Sequence, residues 1–240
     1  MSPRRLPRAF TLVELLVVIV IISLLAALIT PAVMAALRAA KRTAISTEIN
    51  SLAGAIETYK AQYGSYPPSS QAQFKAHLTH IFTNLDPNEL TSVNAMDNAQ
   101  ILVFALQGYS PDKRKPLTGA GERKPFFDFK PDRLTGTTPQ RYTGPGTTTP
   151  YVYFDCSRYQ TSASPDTYNT NGTIKPYKLT TAQGGGYANA KSFQIVSTGL
   201  DNDFGTDTGY VLDNTGIKAG HIDNLTNFSG GKQLSDYIDQ

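Results

Sequence analysis

The sequence predicts an α+β fold: one long N-terminal helix, apolar in its first half and amphipathic in its second, packed on a domain of antiparallel strands. Three observations carry this. Leu15–Leu37 is a run of 23 positions without a charged side chain. After it, Ile45, Ile49, Leu52, Ile56, Tyr59 and Tyr63 recur at alternating spacings of 4 and 3, an apolar stripe of helical period. Strand-like runs come only late, at Tyr151–Phe154 and Ser192–Ser197 with a shorter one at Gly209–Leu212. Helix first and strands later is the order of an α+β chain.

As a helix, the apolar run covers roughly 34 Å at ~1.5 Å per residue, enough for a hydrocarbon core of about 30 Å. The remainder is polar and rich in Gly, Pro, Thr, Asn and Tyr. The formal charge of +3 comes entirely from Arg4, Arg5 and Arg8, because the rest of the chain carries 19 basic and 19 acidic residues. Such a neutral remainder lacks the basic surface of a nucleic-acid-binding domain, and no nucleic acid is expected as a partner.

The N-terminus admits a secretory signal peptide cut after Ala35, or a plain single-span anchor. Two features oppose both. The apolar run exceeds the ~7–15 residues of a signal peptide's apolar region. Glu14 also stands alone at its leading edge, where a carboxylate entering hydrocarbon costs on the order of 2.5–3.5 kcal/mol. Arg4, Arg5 and Arg8 before the run balance Arg38, Lys41 and Arg42 after it, so the charges do not set an orientation.

Arg8-Ala9-Phe10-Thr11-Leu12-Val13-Glu14 followed by an apolar helix resembles the processing motif of type IV pilin-like prepilins. The resemblance implies a leader of residues 1–9, cleavage between Ala9 and Phe10 by a prepilin peptidase, and methylation of the Phe10 amine. Ala9 stands where the family commonly has Gly. The resemblance also gives Glu14 an assembly role, meeting the N-terminal amine of a neighbouring subunit, and aligns Pro31 with a proline that loosens the family's helix.

Gly64 and Pro67-Pro68 end the amphipathic stripe, so one helix is expected over Phe10–Tyr63. The expected divisions are a transmembrane and filament-core helix at 10–37, its amphipathic continuation at 38–66, and an extracytoplasmic globular domain at 67–240. Ile56–Pro67 contains the string Tyr-Lys-x-x-Tyr-Gly-x-Tyr-Pro, which resembles the helix exit of the major pseudopilins of type II secretion systems.

Within the globular part, Phe74–Leu85 and Ala99–Leu106 are expected as short helices, and Lys113–Gly146 as irregular. Gly184-Gly185-Gly186 reads as turn chemistry, because the Lys-Ser/Thr of a phosphate loop is missing. From Ser197 onward there are seven Asp against two Lys. There, Ser197-Thr198-Gly199-Leu200-Asp201-Asn202-Asp203 and Asp223-Asn224 resemble the calcium-binding end of the same pseudopilins. The resemblance implies calcium held by Asp201, Asp203, Asp223 and Asn224, an oxygen-only donor set suited to a hard cation. Solvated Asx turns are the alternative.

No motif suggests catalysis. His77 and His80 read as a surface pair rather than a zinc site, and the lone Cys156 as a buried, inert thiol. The expectation is therefore a structural, non-enzymatic subunit. The resemblance implies a bacterial inner-membrane location, with a cytoplasmic N-terminus and periplasmic domain before assembly. Its implied partners are copies of itself and related pseudopilins, the prepilin peptidase and an inner-membrane assembly platform. A type IV pilus or competence pilin, and a secreted protein freed after Ala35, remain the alternatives.

Overall fold

The computed structural model describes residues 10–94, 96–137, 139–159, 167–168, 174–205, 210–212 and 221–238. The chain divides into two compact units, 1–40 and 41–240.

Helix α1 runs Leu12–Tyr63, 52 residues or about 78 Å, and contributes to both units. Its apolar part is exposed throughout, and among the described residues it is the one helix long and apolar enough to cross a membrane. Ser23 and Thr30 turn their hydroxyls back to the carbonyls of Ile19 and Ala26, both at 2.7 Å, which hides their polarity. Pro31 lies inside the helix, where it cannot donate to the carbonyl of Ala27. Gly64 follows at φ +80, and its N–H bonds to the Lys60 carbonyl at 2.8 Å. That left-handed residue ends the helix where the sequence placed its end.

In the unit 41–240, Ile45, Ile49, Leu52, Ile56 and Tyr59 of α1 are buried. Each fully buried aliphatic contributes about 1.5–3 kcal/mol. The stripe packs with residues of α2 (Gln71–Ile81) and α3 (Asn98–Leu106) in one core. A two-stranded ribbon joins β1 (Leu134–Thr135) to β2 (Arg141–Tyr142), and a three-stranded antiparallel sheet has the order β3-β4-β5. Its strands are β3 (Val152–Asp155), β4 (Phe193–Ser197) and β5 (Leu225–Thr226). The chain ends in α4 (Leu234–Ile238).

The three-stranded sheet is buried on both faces, and the two-residue alternation sorts its side chains. Tyr153, Phe193 and Ile195 join the core built on α1. Val152, Phe154 and Val196 join a second core with Tyr168, Tyr177 and Phe204. Gln194 lies on the second face, wholly buried, and satisfies its amide on the backbone of Tyr177 and Ala188. This arrangement is the expected α+β fold.

Several local expectations shift. The first short helix begins at Gln71 and stops at Ile81, because Phe82 leaves helical geometry at φ −121, ψ 90. The stretch expected to be irregular contains β1 and β2, whose two-residue length shows no period. Val211 pairs with Lys178 through a single parallel bridge, so the described part of the expected Gly209–Leu212 run is not a strand; Gly209 lies outside the described residues. The three glycines 184–186 all have positive φ, which only a turn requires.

Candidate functional site

The N-terminal turn of α1 is built by Thr11 and Glu14. The Thr11 amide and hydroxyl both donate to Glu14 Oε2, at 2.9 and 2.8 Å, and the Glu14 amide donates back to Thr11 Oγ1 at 3.2 Å. This reciprocal capping box satisfies backbone donors that the first turn leaves over. It also gives the lone carboxylate two donors from its own chain. Thr-x-x-Glu before an apolar run is the sequence signature of such a helix start, and here it overlaps the processing motif. Phe10 precedes the cap and is 73% exposed, while Ala9 lies outside the described residues. Pro31 is 17 positions beyond Glu14 on the same helix.

The acidic loop is held around Asp223. Leu200 N–H donates to Asp223 Oδ2 at 3.1 Å, Asp203 N–H to Asp201 Oδ1 at 2.8 Å, and Gly205 N–H to Asp203 Oδ1 at 2.9 Å. Gly199, at φ +69, passes so close that an added Cβ would meet the Asp223 backbone carbonyl and lie 2.6 Å from Oδ2. Burial, then the adjacent charges of Asp223 and Asp203, push the Asp201 carboxyl up to about 6 against the pull of the Asp203 amide.

Asn224 differs from its neighbours: it is wholly buried and its amide donates to the Tyr177 hydroxyl at 2.9 Å. Its Oδ1 has no hydrogen-bond partner. Among the described residues, no three His, Cys, Asp or Glu side chains come together as a metal-ligand group. Asp201 and Asp223 are brought into contact, whereas Asn224 is turned to the second core. Asp207, Asp213 and Asp239 lie outside the described residues.

His77 and His80 are not the surface pair that their spacing suggested. The inner stripe of α2 takes in Phe74, His77 and Leu78, leaving His80 exposed. His77 Nε2 meets the Tyr59 hydroxyl at 2.8 Å and Nδ1 meets Ser65 Oγ at 3.3 Å. Burial, helped by His80, lowers its pKa to about 4. Cys156 is half-buried rather than buried; burial and Asp155 push its thiol up to about 11, which keeps it protonated and unreactive at neutral pH.

The strongest polar joint went unread in the sequence. Glu48 of α1 accepts from both terminal nitrogens of Arg133, and from the hydroxyls of Tyr142 at 3.0 Å and Tyr151 at 2.9 Å. Glu48 and Arg133 side chains are each 12% exposed. A lone Glu beside an apolar stripe gives no sign that its partners lie 85 to 103 residues away.

Residues 4–30 match the prokaryotic N-terminal methylation motif, the signature of type IV pilin-like prepilins. The match covers the processing motif, Glu14 and most of the apolar run, but not the globular domain. No curated protein and no solved structure matches the chain.

Proposed function

We propose that this chain is a structural subunit of a type II secretion pseudopilus, matured by prepilin-peptidase cleavage between Ala9 and Phe10 and N-methylation of Phe10. The observation that carries the reading is the methylation motif spanning most of the apolar part of a helix that continues into a globular core. In this reading the apolar segment is a membrane anchor before assembly. Afterwards it packs against the same segment of other subunits, replacing lipid contact with helix contact. Glu14, released from Thr11, then meets the N-terminal amine of a neighbouring copy, a pairing favoured where both charges are shielded from water. Pro31 lets the helix bend where neighbours crowd it. The domain faces the periplasm, and other pseudopilins and an inner-membrane assembly platform are the partners.

The helix-exit string before Pro67 and the aspartate loop support a pseudopilin over a type IV pilus or competence pilin. Calcium fits the loop chemically. Asp201 loses its proton near pH 6 beside the charge of Asp223, a repulsion that a divalent cation relieves. Asp201 and Asp223, already in contact, would hold it with backbone carbonyls as further donors, and Asp203 and the unpartnered Asn224 Oδ1 would have to close in to join them. When bound, the ion would supply charge neutralisation and tie the 199–205 loop to the segment at 223.

Intact mass and N-terminal sequence of the membrane-extracted protein test the maturation. N-methylphenylalanine at Phe10 supports the reading, and a chain beginning at Ala36 overturns it. Deleting the gene in its own host separates the systems: lost protein secretion supports a pseudopilus, and lost surface pili or DNA uptake with intact secretion supports a pilin.

A further inference from the structure

Among the described residues outside 10–37, Ile222 is the one large apolar side chain that stands exposed, at 46%. It sits on a turn closed by Asn224 N–H to the His221 carbonyl at 3.2 Å, and both ends of that turn are wholly buried. Ser235 N–H holds the Ile222 carbonyl at 3.0 Å. A fixed backbone thus presents an aliphatic side chain to water, and a partner that covered it would gain its burial. Asp223 follows it, with the Asp201 carboxyl beside Asp223, so the apolar knob is flanked by negative charge.

A matching hole lies elsewhere on the domain. A cleft of about 400 Å³ is walled by Tyr63, Ile81, Phe82 and Pro111 and bordered by Lys113 and Lys124. Neither lysine joins an ion pair among the described residues. Glu122 is the one acid in the lining, and residues 113–124 carry five bases against it. The basic side of the cleft is tightly packed: Gly108 lies against the Lys124 carbonyl, and a Cβ added at Gly121 would stand 2.7 Å from Pro111 Cγ. Tyr109, in the cleft, belongs to the core built on α1, whereas His221 of the turn bonds Tyr177 of the second core. Knob and hole are therefore different surfaces. Each copy can offer its turn to one neighbour and its cleft to another, the pattern that propagates a filament rather than closing a dimer.

We infer that Ile222 of one copy inserts into the Tyr63–Phe82 cleft of a second copy, with the aspartates beside it meeting Lys113 and Lys124. The contact rests on the filament reading above and supplies it with a specific joint between globular domains. Burial of Ile222 holds the joint, and the opposite charges orient it.

The test uses the full-length chain in its own host. Formaldehyde first traps wild-type multimers, so that filament formation is scored apart from this contact. Ile222→Cys is then combined in one chain with Thr83→Cys, an exposed position in the cleft lining, and wild type controls for Cys156. A disulfide-linked ladder under mild oxidant, absent from wild type and from either single variant, is expected. Ile222→Ser should cut the trapped multimers about tenfold and leave the melt of the globular domain unchanged. Undiminished multimers in Ile222→Ser, or a double-cysteine chain that multimerises without a ladder, overturn the contact and leave the filament reading standing. Absence of wild-type multimers overturns both.

Discussion

The Tyr59 hydroxyl of α1 sits 2.8 Å from His77 Nε2 and 2.8 Å from the Tyr109 hydroxyl, so one oxygen joins α1, α2 and the segment that follows α3. His77 is held neutral there, with its pKa lowered to about 4, while the unfolded chain titrates near the ordinary 6.5. Below pH 6.5 the unfolded chain takes up the proton first. Stability from this group is therefore full above pH 6.5 and drains as pH falls toward 4. Thermal melts of wild type and His77→Asn should differ in pH dependence over that window, with the wild type losing more. Parallel profiles would refute the assignment.

Glu48 tests the joint between α1 and the β1–β2 ribbon. Glu48→Ala strands the Arg133 guanidinium and two tyrosine hydroxyls, which should cost about 3–4 kcal/mol. For a domain of this size that corresponds to a fall of roughly 6–16 °C in Tm. Tyr151→Phe, which removes one donor and keeps the ring, should cost about 1 kcal/mol. Equal losses in the two variants would mean that the Tyr151 hydroxyl, not the Arg133 pair, carries the joint.

Asp201 carries the opposite sign from His77. Its folded pKa near 6 lies above the ordinary 3.8, so its contribution is present below about pH 4 and lost as pH rises through 6. With a chelator present, Asp201→Asn should melt higher than wild type at pH 7.5 and match it near pH 4. Added calcium should raise the wild-type Tm at pH 7.5 and leave Asp201→Asn unmoved. A wild type indifferent to both chelator and calcium would end the calcium proposal.

Thr11→Val keeps the shape of the cap residue and removes its hydroxyl. Losing such a cap costs about 1 kcal/mol locally. Amide exchange in the first turn of α1 should quicken about fivefold in micelles, with the melt of the globular domain unchanged. Unaltered exchange would show that Glu14 caps the turn without Thr11.

The long helix was legible because its composition and period extend over dozens of residues, and Gly64 and the two prolines mark its end. The acidic loop was legible as chemistry, but not the burial of Asn224, since the neighbour that takes its amide is Tyr177, 47 residues earlier. His77 misled for a related reason: its i+3 spacing to His80 is local, whereas the choice of the inward residue is made by Phe74 and Leu78. β1 and β2 carry no pattern long enough to see, and their place is fixed by Tyr142 and Arg133 reaching Glu48.

The apolar stripe of α1 lies parallel to the helix axis, and that has a mechanical consequence. A pull along the axis from the N-terminal side loads Ile45, Ile49, Leu52, Ile56, Tyr59 and the Glu48 joint together, in shear. Contacts loaded in parallel share the force, whereas contacts peeled in sequence fail singly. The grip on the helix therefore resists extraction along its length far better than a sideways tug. At Pro31 the helix lacks one of its backbone hydrogen bonds.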